Sequence, residues 1–137
     1  MSKQPDSKPN ERSSGTVEIN HQLWNSFHEI AQTILGVNGG SMTGFKVRAV
    51  PDLNGDGLPE VVLAAQQDSS LEPMGGAVYL LYGTADPEPR TVADAELTLV
   101  SEGPFDYLGT GLAICDSNGD GQLELWAGAS AHPAGGS

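Results

Sequence analysis

The first regular pattern of apolar positions along the chain has the spacing of an α-helix. Asn20 is suited to cap the start of this segment, and Gly36 is suited to end it. The pattern predicts an amphipathic helix over residues 22–35, inside a segment that spans residues 20–36. Its apolar stripe consists of Leu23, Trp24, Phe27, Ile30, Ala31, Ile34 and Leu35. The polar residues 1–19 before it predict a disordered tail.

From Phe45 onward the apolar residues occur in short runs of strand length, separated by turns rich in glycine. The runs read FKVRAV, EVVLAA, AVYLLYG and ELTLV, followed by LGTGLAIC and LELWAGA. In the first run Val47 and Ala49 alternate with polar residues, which is typical of a strand with one covered face. The last two runs repeat the first two, so the pattern predicts a mainly β repeat protein.

Two acidic segments lie between these runs, DLNGDGLPE at residues 52–60 and DSNGDGQLE at residues 116–124. Each copy has an acid at its first, fifth and ninth positions, an Asn at its third position and glycine at its sixth. The two copies align without a gap. The repeated residues are Asp52, Asn54, Asp56, Gly57 and Glu60 in the first copy, and Asp116, Asn118, Asp120, Gly121 and Glu124 in the second.

This spacing of oxygen-bearing residues predicts a calcium site in each copy. Calcium takes about six to eight oxygen ligands, and alternate positions of a tight turn point successive side chains inward. The carbonyl of the seventh residue can contribute, and the final glutamate closes the site. A plain Asn-Gly or Asp-Gly hairpin turn is the simpler alternative, but it needs no acids at these positions. The expected ligands are Asp52, Asn54, Asp56, Leu58 and Glu60 in one site, and Asp116, Asn118, Asp120, Gln122 and Glu124 in the other.

The residues after each acidic segment exclude two common types of calcium-binding loop. A helix-loop-helix site needs a glutamate at its twelfth position, where this chain has Leu63 and Ala127. Dockerin-type loops also place an acid there and continue into a helix, whereas VVLAA and LWAGA follow here. The ligands are therefore expected inside a strand-loop-strand turn.

The charge of the chain narrows the classes of partner. The 137 residues include 18 acidic and 6 basic side chains, which gives a net charge of −12. This balance argues against nucleic acid and anionic membranes as partners and makes divalent cations the natural counter-charge. No run approaches membrane-spanning length, and the N-terminal residues lack the apolar segment of a signal peptide. The single cysteine, Cys115, is expected to be a small buried apolar residue.

The chain resembles the FG-GAP repeats of the integrin alpha-subunit propeller and its bacterial relatives. The resemblance lies in VRAVPDLNGDGLPEVVLAA followed by GGAVYLLYGT, and again in LGTGLAICDSNGDGQLELWAGA. It covers roughly residues 44–137, about two thirds of the chain. The turn that begins each repeat departs from the family pattern, because the first copy reads GF where FG is expected and the second has Leu108 before Gly109.

The resemblance implies antiparallel β-propeller blades of four strands, with calcium between the first and second strands of each blade. Residues 37–104 would form the first repeat and residues 105–137 a second, truncated one. The two calcium ions would have a structural role. Propellers close with about four to eight blades, so the chain is expected to be a fragment that needs further blades, completion by partners or self-association. A small open arrangement of the two units is the alternative.

The function expected from these features is that of a calcium-binding, non-catalytic module in a cell-surface or secreted protein, used for adhesion or for recognition of a protein or glycan. Alternatives are an accessory segment of a secreted hydrolase or lyase, and a cytoplasmic scaffold fragment. No catalytic constellation is evident, because His132 lies in a Gly/Pro-rich loop and Asp106 with Tyr107 is expected to form a turn.

Blade stacking also predicts which apolar strand residues are covered. Trp126 is expected to be at least half covered by its neighbours. The residues expected to be largely buried are Val61, Leu63, Val78, Leu80 and Leu125.

Overall fold

The computed structural model of the chain describes residues 32–86 and 88–133. These residues are mainly β, as the sequence predicted, and one 3-10 helix covers Val92–Asp94. The strands are β1 (Ile34–Leu35), β2 (Thr43–Val50), β3 (Glu60–Ala65), β4 (Ala77–Leu81), β5 (Arg90–Thr91), β6 (Leu97–Val100), β7 (Leu108–Cys115) and β8 (Glu124–Ala129).

The helix predicted for residues 22–35 is wrong at its C-terminal end. Ile34–Leu35 forms β1, which pairs in parallel with β5. The Nε2 atom of Gln32 donates to the carbonyls of Thr84 and Asp86 at 2.6 and 3.0 Å, so distant residues hold this segment extended. A short apolar run fits either a helix or a strand, and here tertiary pairing decides. The rest of the predicted helix and the predicted tail 1–19 lie outside the described residues.

The main sheet contains four antiparallel strands in the order β2-β3-β4-β6. β3 is paired along both edges, with Val50 opposite Glu60 on one side and Leu81 opposite Val61 on the other. β2 contains a bulge between Thr43 and Lys46. This sheet has the four strands expected of one propeller-type blade, and the described residues form no closed ring.

β7 and β8 form a separate antiparallel hairpin that repeats the β2–β3 hairpin. Both hairpins have a bulge near the start of their first strand. Their registers show that Cys115, opposite Glu124, is the counterpart of Val50, opposite Glu60. The first repeat therefore has one extra residue, Pro51, between its first strand and its acidic segment. The predicted repeat boundaries, 37–104 and 105–137, stay predictions.

The apolar core lies on both faces of the main sheet. One face packs against β1 and the 3-10 helix, and its buried residues are Leu63, Ala65, Ala77, Tyr79, Leu81 and Val92. The other face packs against the β7–β8 hairpin, and this cluster consists of Val50, Val62, Ala64 and Val78 together with Leu112. The second hairpin is thus stacked face to face on the first repeat.

The packing predictions hold only in part for the main sheet, where Val47 and Ala49 of β2 are exposed, and they fail at the outer face of the second hairpin. Leu63 and Val78 are buried, while Val61, Leu80 and Leu125 are half-buried against the two clusters.

Trp126 was expected to be at least half covered, but 56% of it is exposed. Cys115 was expected to be buried and is exposed as well. Both lie on the hairpin face opposite the cluster residue Leu112, and that face is turned away from the main sheet.

Candidate metal centre

The two acidic segments form the loops of the two hairpins, between β2 and β3 and between β7 and β8. We call residues 51–60 loop one and residues 116–124 loop two, so that each loop includes the glutamate that begins the following strand. The glycines at the fourth and sixth positions of each acidic segment have positive φ, with Gly57 at 88° and Gly121 at 90°. Residues with a Cβ atom are disfavoured there, so these glycines permit the tight course of both loops.

In loop one, backbone N–H groups hold the acidic side chains toward the inside of the turn. Asp52 Oδ1 accepts hydrogen bonds from Gly55 and Asp56 at 2.6 and 3.2 Å, and Asp52 Oδ2 accepts one from Gly57 at 2.7 Å. The hydrogen bond from Gly57, followed by those from its neighbours, lowers the pKa of Asp52. Asn54 Oδ1 accepts from the N–H of Asp56 at 2.9 Å.

Loop two repeats this geometry almost atom for atom. Asp116 Oδ1 accepts from Gly119 and Asp120 at 2.7 and 3.1 Å, and Asp116 Oδ2 accepts from Gly121 at 2.7 Å. Asn118 Oδ1 accepts from the N–H of Asp120 at 2.9 Å. The equal geometry follows from the equal spacing of Asp, Asn and Gly, whose short side chains bond to backbone N–H groups a few residues ahead.

The structure brings the predicted acids of each loop together. One oxygen each of Asp52, Asp56 and Glu60 lies within 4.8 Å of the others, and the same holds for Asp116, Asp120 and Glu124. Since calcium–oxygen distances are about 2.3–2.6 Å, a single ion can contact oxygens separated by this amount. The acids are therefore close enough to share a cation in each loop.

The seventh residue of each acidic segment donates its N–H to the preceding Asp. Leu58 donates to Asp56 Oδ1 and Gln122 donates to Asp120 Oδ1, both at 2.8 Å. The predicted ligand function of the Leu58 and Gln122 carbonyls stays a prediction.

The final glutamate of the first site is the most buried of the six acids in the two candidate sites. Glu60 is fully buried, and its Oε2 accepts a hydrogen bond from the N–H of Leu53. Its Oε1 is also buried and has no hydrogen-bond partner. An unpaired carboxylate oxygen is costly in the interior, and a nearby cation would remove that cost. This oxygen and the all-oxygen donor set fit a hard divalent cation.

In the second site, a serine that the sequence reading missed bonds to the final glutamate. Glu124 is half-buried, and its Oε2 accepts from the N–H and the hydroxyl of Ser117 at 2.8 and 2.5 Å. The corresponding residue of loop one is Leu53, which has no hydroxyl. A hydroxyl-bearing residue at the second position of the acidic segment is the sequence feature that could have predicted this hydrogen bond.

Asp106 and Tyr107 were expected to form a turn, but the turn lies just before them at residues 104–105, and Asp106 is a buried residue that holds this segment in place. Phe105 and Tyr107 have positive φ, and Asp106 between them is fully buried. Asp106 Oδ2 accepts from the Ser101 hydroxyl and lies 2.8 Å from Nδ1 of His132. The acid therefore separates the serine from the imidazole, whereas a nucleophile–base pair requires direct contact between those two groups.

Replacing Asp106 with Asn should destabilise the fold more at pH 7 than at pH 3. The hydrogen bond from Ser101, and then that from His132, lowers the pKa of Asp106. A lowered folded-state pKa gives stability that is present above the unfolded value, about 3.9, and is lost as the pH falls below it. Urea unfolding at both pH values measures the difference.

The matched control for this prediction is Glu102→Gln, which removes an exposed acid from the same segment. This change should have little effect at either pH. A destabilisation by Asp106→Asn that is equal at pH 7 and pH 3 would show that the charge of Asp106 contributes nothing.

Comparison with known proteins gives one family and one curated relative. The family described as FG-GAP-like repeat matches residues 52–127, which is more than half of the chain and includes both loops. The phosphatidylinositol-glycan-specific phospholipase D of Rattus norvegicus is 33% identical over 89 residues, which are 64% of this chain. The chain spans only 10% of that protein. No solved structure matches.

Among the residues that the structure describes, no helix has the length and apolar character needed to span a lipid bilayer.

Proposed function

The chain belongs to the FG-GAP-like repeat family, and we propose that it is a calcium-binding, non-catalytic repeat module in which each loop binds one calcium ion. The main observation behind this proposal is that the buried Oε1 of Glu60 has no hydrogen-bond partner. The carboxylates of Asp52 and Asp56 lie close to that of Glu60. A buried Glu60 carboxylate that lies beside two further, exposed carboxylates without a counter-charge is unfavourable, and calcium supplies that charge.

The proposed ligands are those that the sequence predicted. Side-chain oxygens and the carbonyl of the seventh residue would coordinate the ion, and hydrogen bonds already orient the first, third and fifth side chains. The proposed sets are Asp52, Asn54, Asp56, Leu58 and Glu60 in one site, and Asp116, Asn118, Asp120, Gln122 and Glu124 in the other. The ions would stabilise the hairpins and take no part in a reaction.

We also propose that the two repeats belong to a propeller-type stack with further blades, supplied by the same polypeptide or by a partner. The support comes from the equivalence of the repeats. Trp126 and Gly128 correspond to Val62 and Ala64, which face the second hairpin and are buried by it. The exposed face around Trp126 therefore corresponds to the face of the first repeat that the second hairpin covers.

The proposed setting is a cell-surface or secreted protein that recognises another protein or a glycan. Calcium loops of extracellular modules bind with Kd values of about 10⁻⁴ to 10⁻³ M, which suits extracellular calcium concentrations. The family membership supports this setting.

An accessory segment of a secreted hydrolase is the second candidate, and the similarity to a phospholipase D favours it. In this case the repeats would support or position a catalytic domain. Catalysis by the Ser101, Asp106 and His132 cluster does not follow, since the acid lies between the other two groups. Both candidates predict that the purified chain alone releases no product from a glycosylphosphatidylinositol substrate. The assay that separates them uses the protein isolated from its source, where only the second candidate predicts hydrolysis.

Isothermal titration calorimetry with calcium tests the main proposal. The wild-type chain should bind two calcium ions, while Asp56→Asn and Asp120→Asn should each bind one. Asp86→Asn, which changes an exposed acid outside both loops, is the matched control and should bind two. Magnesium should bind poorly, because it demands a smaller octahedral site and keeps its water ligands. A folded chain that shows no binding in millimolar calcium would overturn the proposal.

A further inference from the structure

The two acidic loops have the same predicted ligands and nearly the same internal hydrogen bonds, yet their surroundings differ. The bonds to the first acid agree within 0.1 Å between loops, since Asp52 accepts at 2.6, 3.2 and 2.7 Å and Asp116 accepts at 2.7, 3.1 and 2.7 Å. A difference in cation binding must therefore come from the strands around the loops and from the loop side chains that differ between the two copies.

The first difference is the strand that carries the final glutamate. Glu60 begins β3, which is paired with β2 on one edge and with β4 on the other. Glu124 begins β8, which pairs with β7 alone within the part of the chain that the structure describes. Glu60 is fully buried and Glu124 is only half-buried. The first carboxylate is thus held in a more rigid and more buried position.

The second difference is direct backbone packing against the end of loop one. A Cβ atom added to Gly83, just after β4, would lie 2.1 Å from the carbonyl oxygen of Pro59 and 3.1 Å from Cβ of Leu58. Only glycine allows such a close approach. In loop two, Gln122 and Leu123 occupy the equivalent positions. Gln122 is exposed where Leu58 is half-buried, while Pro59 and Leu123 are both exposed.

The third difference is the hydrogen bonding of the final glutamate without metal. Glu124 Oε2 has two donors, the N–H and the hydroxyl of Ser117. Glu60 Oε2 has the single donor Leu53, and its Oε1 has none. A cation at loop one therefore relieves a larger desolvation cost than a cation at loop two.

We infer that the two sites are unequal, with loop one binding calcium about tenfold or more tightly than loop two. The inference rests on the proposed calcium function. Calcium affinity depends on site rigidity as well as ligand charge. The charge of the predicted ligands is equal in the two loops, whereas rigidity, burial and the hydrogen bonding of the final glutamate differ. Loop one would be the permanent structural site, coupled to the main sheet. Loop two would exchange calcium as its concentration changes.

One-site variants test this inference by calorimetric titration with calcium. Asp120→Asn retains the site in loop one, and Asp56→Asn retains the site in loop two. The Kd of Asp120→Asn for calcium should be lower than that of Asp56→Asn by about tenfold or more. Adding Gly83→Ala should raise the Kd of loop one in the Asp120→Asn variant and leave that of loop two unchanged in the Asp56→Asn variant. Gly39→Ala is the matched control, because its Cβ would meet no atom within 4 Å.

The outcomes separate this inference from the function on which it rests. Equal Kd values in the two one-site variants would overturn the inequality and leave the calcium function intact. No binding in either variant would overturn both. The comparison of the one-site variants needs no Gly83 substitution, so it decides the inequality even where Gly83→Ala fails to fold.

Discussion

Replacing Leu81 with Ala is expected to lower the free energy of unfolding by about 2–5 kcal/mol. Leu81 ends β4 and is fully buried, in one cluster with Leu63, Tyr79 and Val92. Truncation removes apolar contacts and leaves a cavity between the main sheet and the 3-10 helix. For a small domain, a loss of this size is a large share of the total stability. Urea unfolding at fixed calcium concentration measures the change.

Leu97→Ala is the matched control, since Leu97 lies on the edge strand β6 and is 45% exposed. The same chemical change at this position should lower the free energy of unfolding by only about 0.5 kcal/mol. A similar loss of unfolding free energy at both positions would contradict the packing of the main sheet between two apolar clusters.

The second large effect is expected from calcium itself. A ligand that binds only the folded chain adds about 2.7 kcal/mol per site at one hundred times its Kd. Asp56→Ala or Asp120→Ala should therefore lower the melting temperature strongly in calcium. In excess chelator the effect should be much smaller, because loss of one carboxylate relieves repulsion among the three acids of that loop. Melting curves of each variant under both conditions measure the difference.

Asp86→Ala serves as the control for these melting curves, because it removes an exposed acid outside both loops. Its effect should be small and independent of calcium. If Asp56→Ala lowered the melting temperature equally in calcium and in chelator, Asp56 would act only through its hydrogen bond to Leu58, as in an ordinary turn.

The candidate sites could be predicted from sequence because their geometry is local. The three acids and the Asn of each site lie within nine consecutive residues, and short-range hydrogen bonds from Gly57 or Gly121 orient the first acid. The strand periodicity of the flanking runs predicted the hairpins for the same reason. Neither inference needed knowledge of which distant elements meet.

The features that could not be predicted depend on such distant contacts. Ile34 forms a strand only because Arg90 lies beside it, and Asp106 is anchored by His132, which is 26 residues away in sequence. The exposure of Trp126 and Cys115 depends on which elements cover the second hairpin. The periodicity of a strand shows that it has two faces, but it does not show which face is covered.

Anomalous X-ray diffraction from crystals grown with calcium is the most direct test of the claim that both loops are calcium sites. The expected result is one anomalous peak in each loop, among Asp52, Asp56 and Glu60 and among Asp116, Asp120 and Glu124. Carboxylate oxygens should lie about 2.3–2.6 Å from each peak. A well-ordered structure from millimolar calcium with no peak in either loop would contradict the claim, and DLNGDGLPE and DSNGDGQLE would then be hairpin turns without a metal.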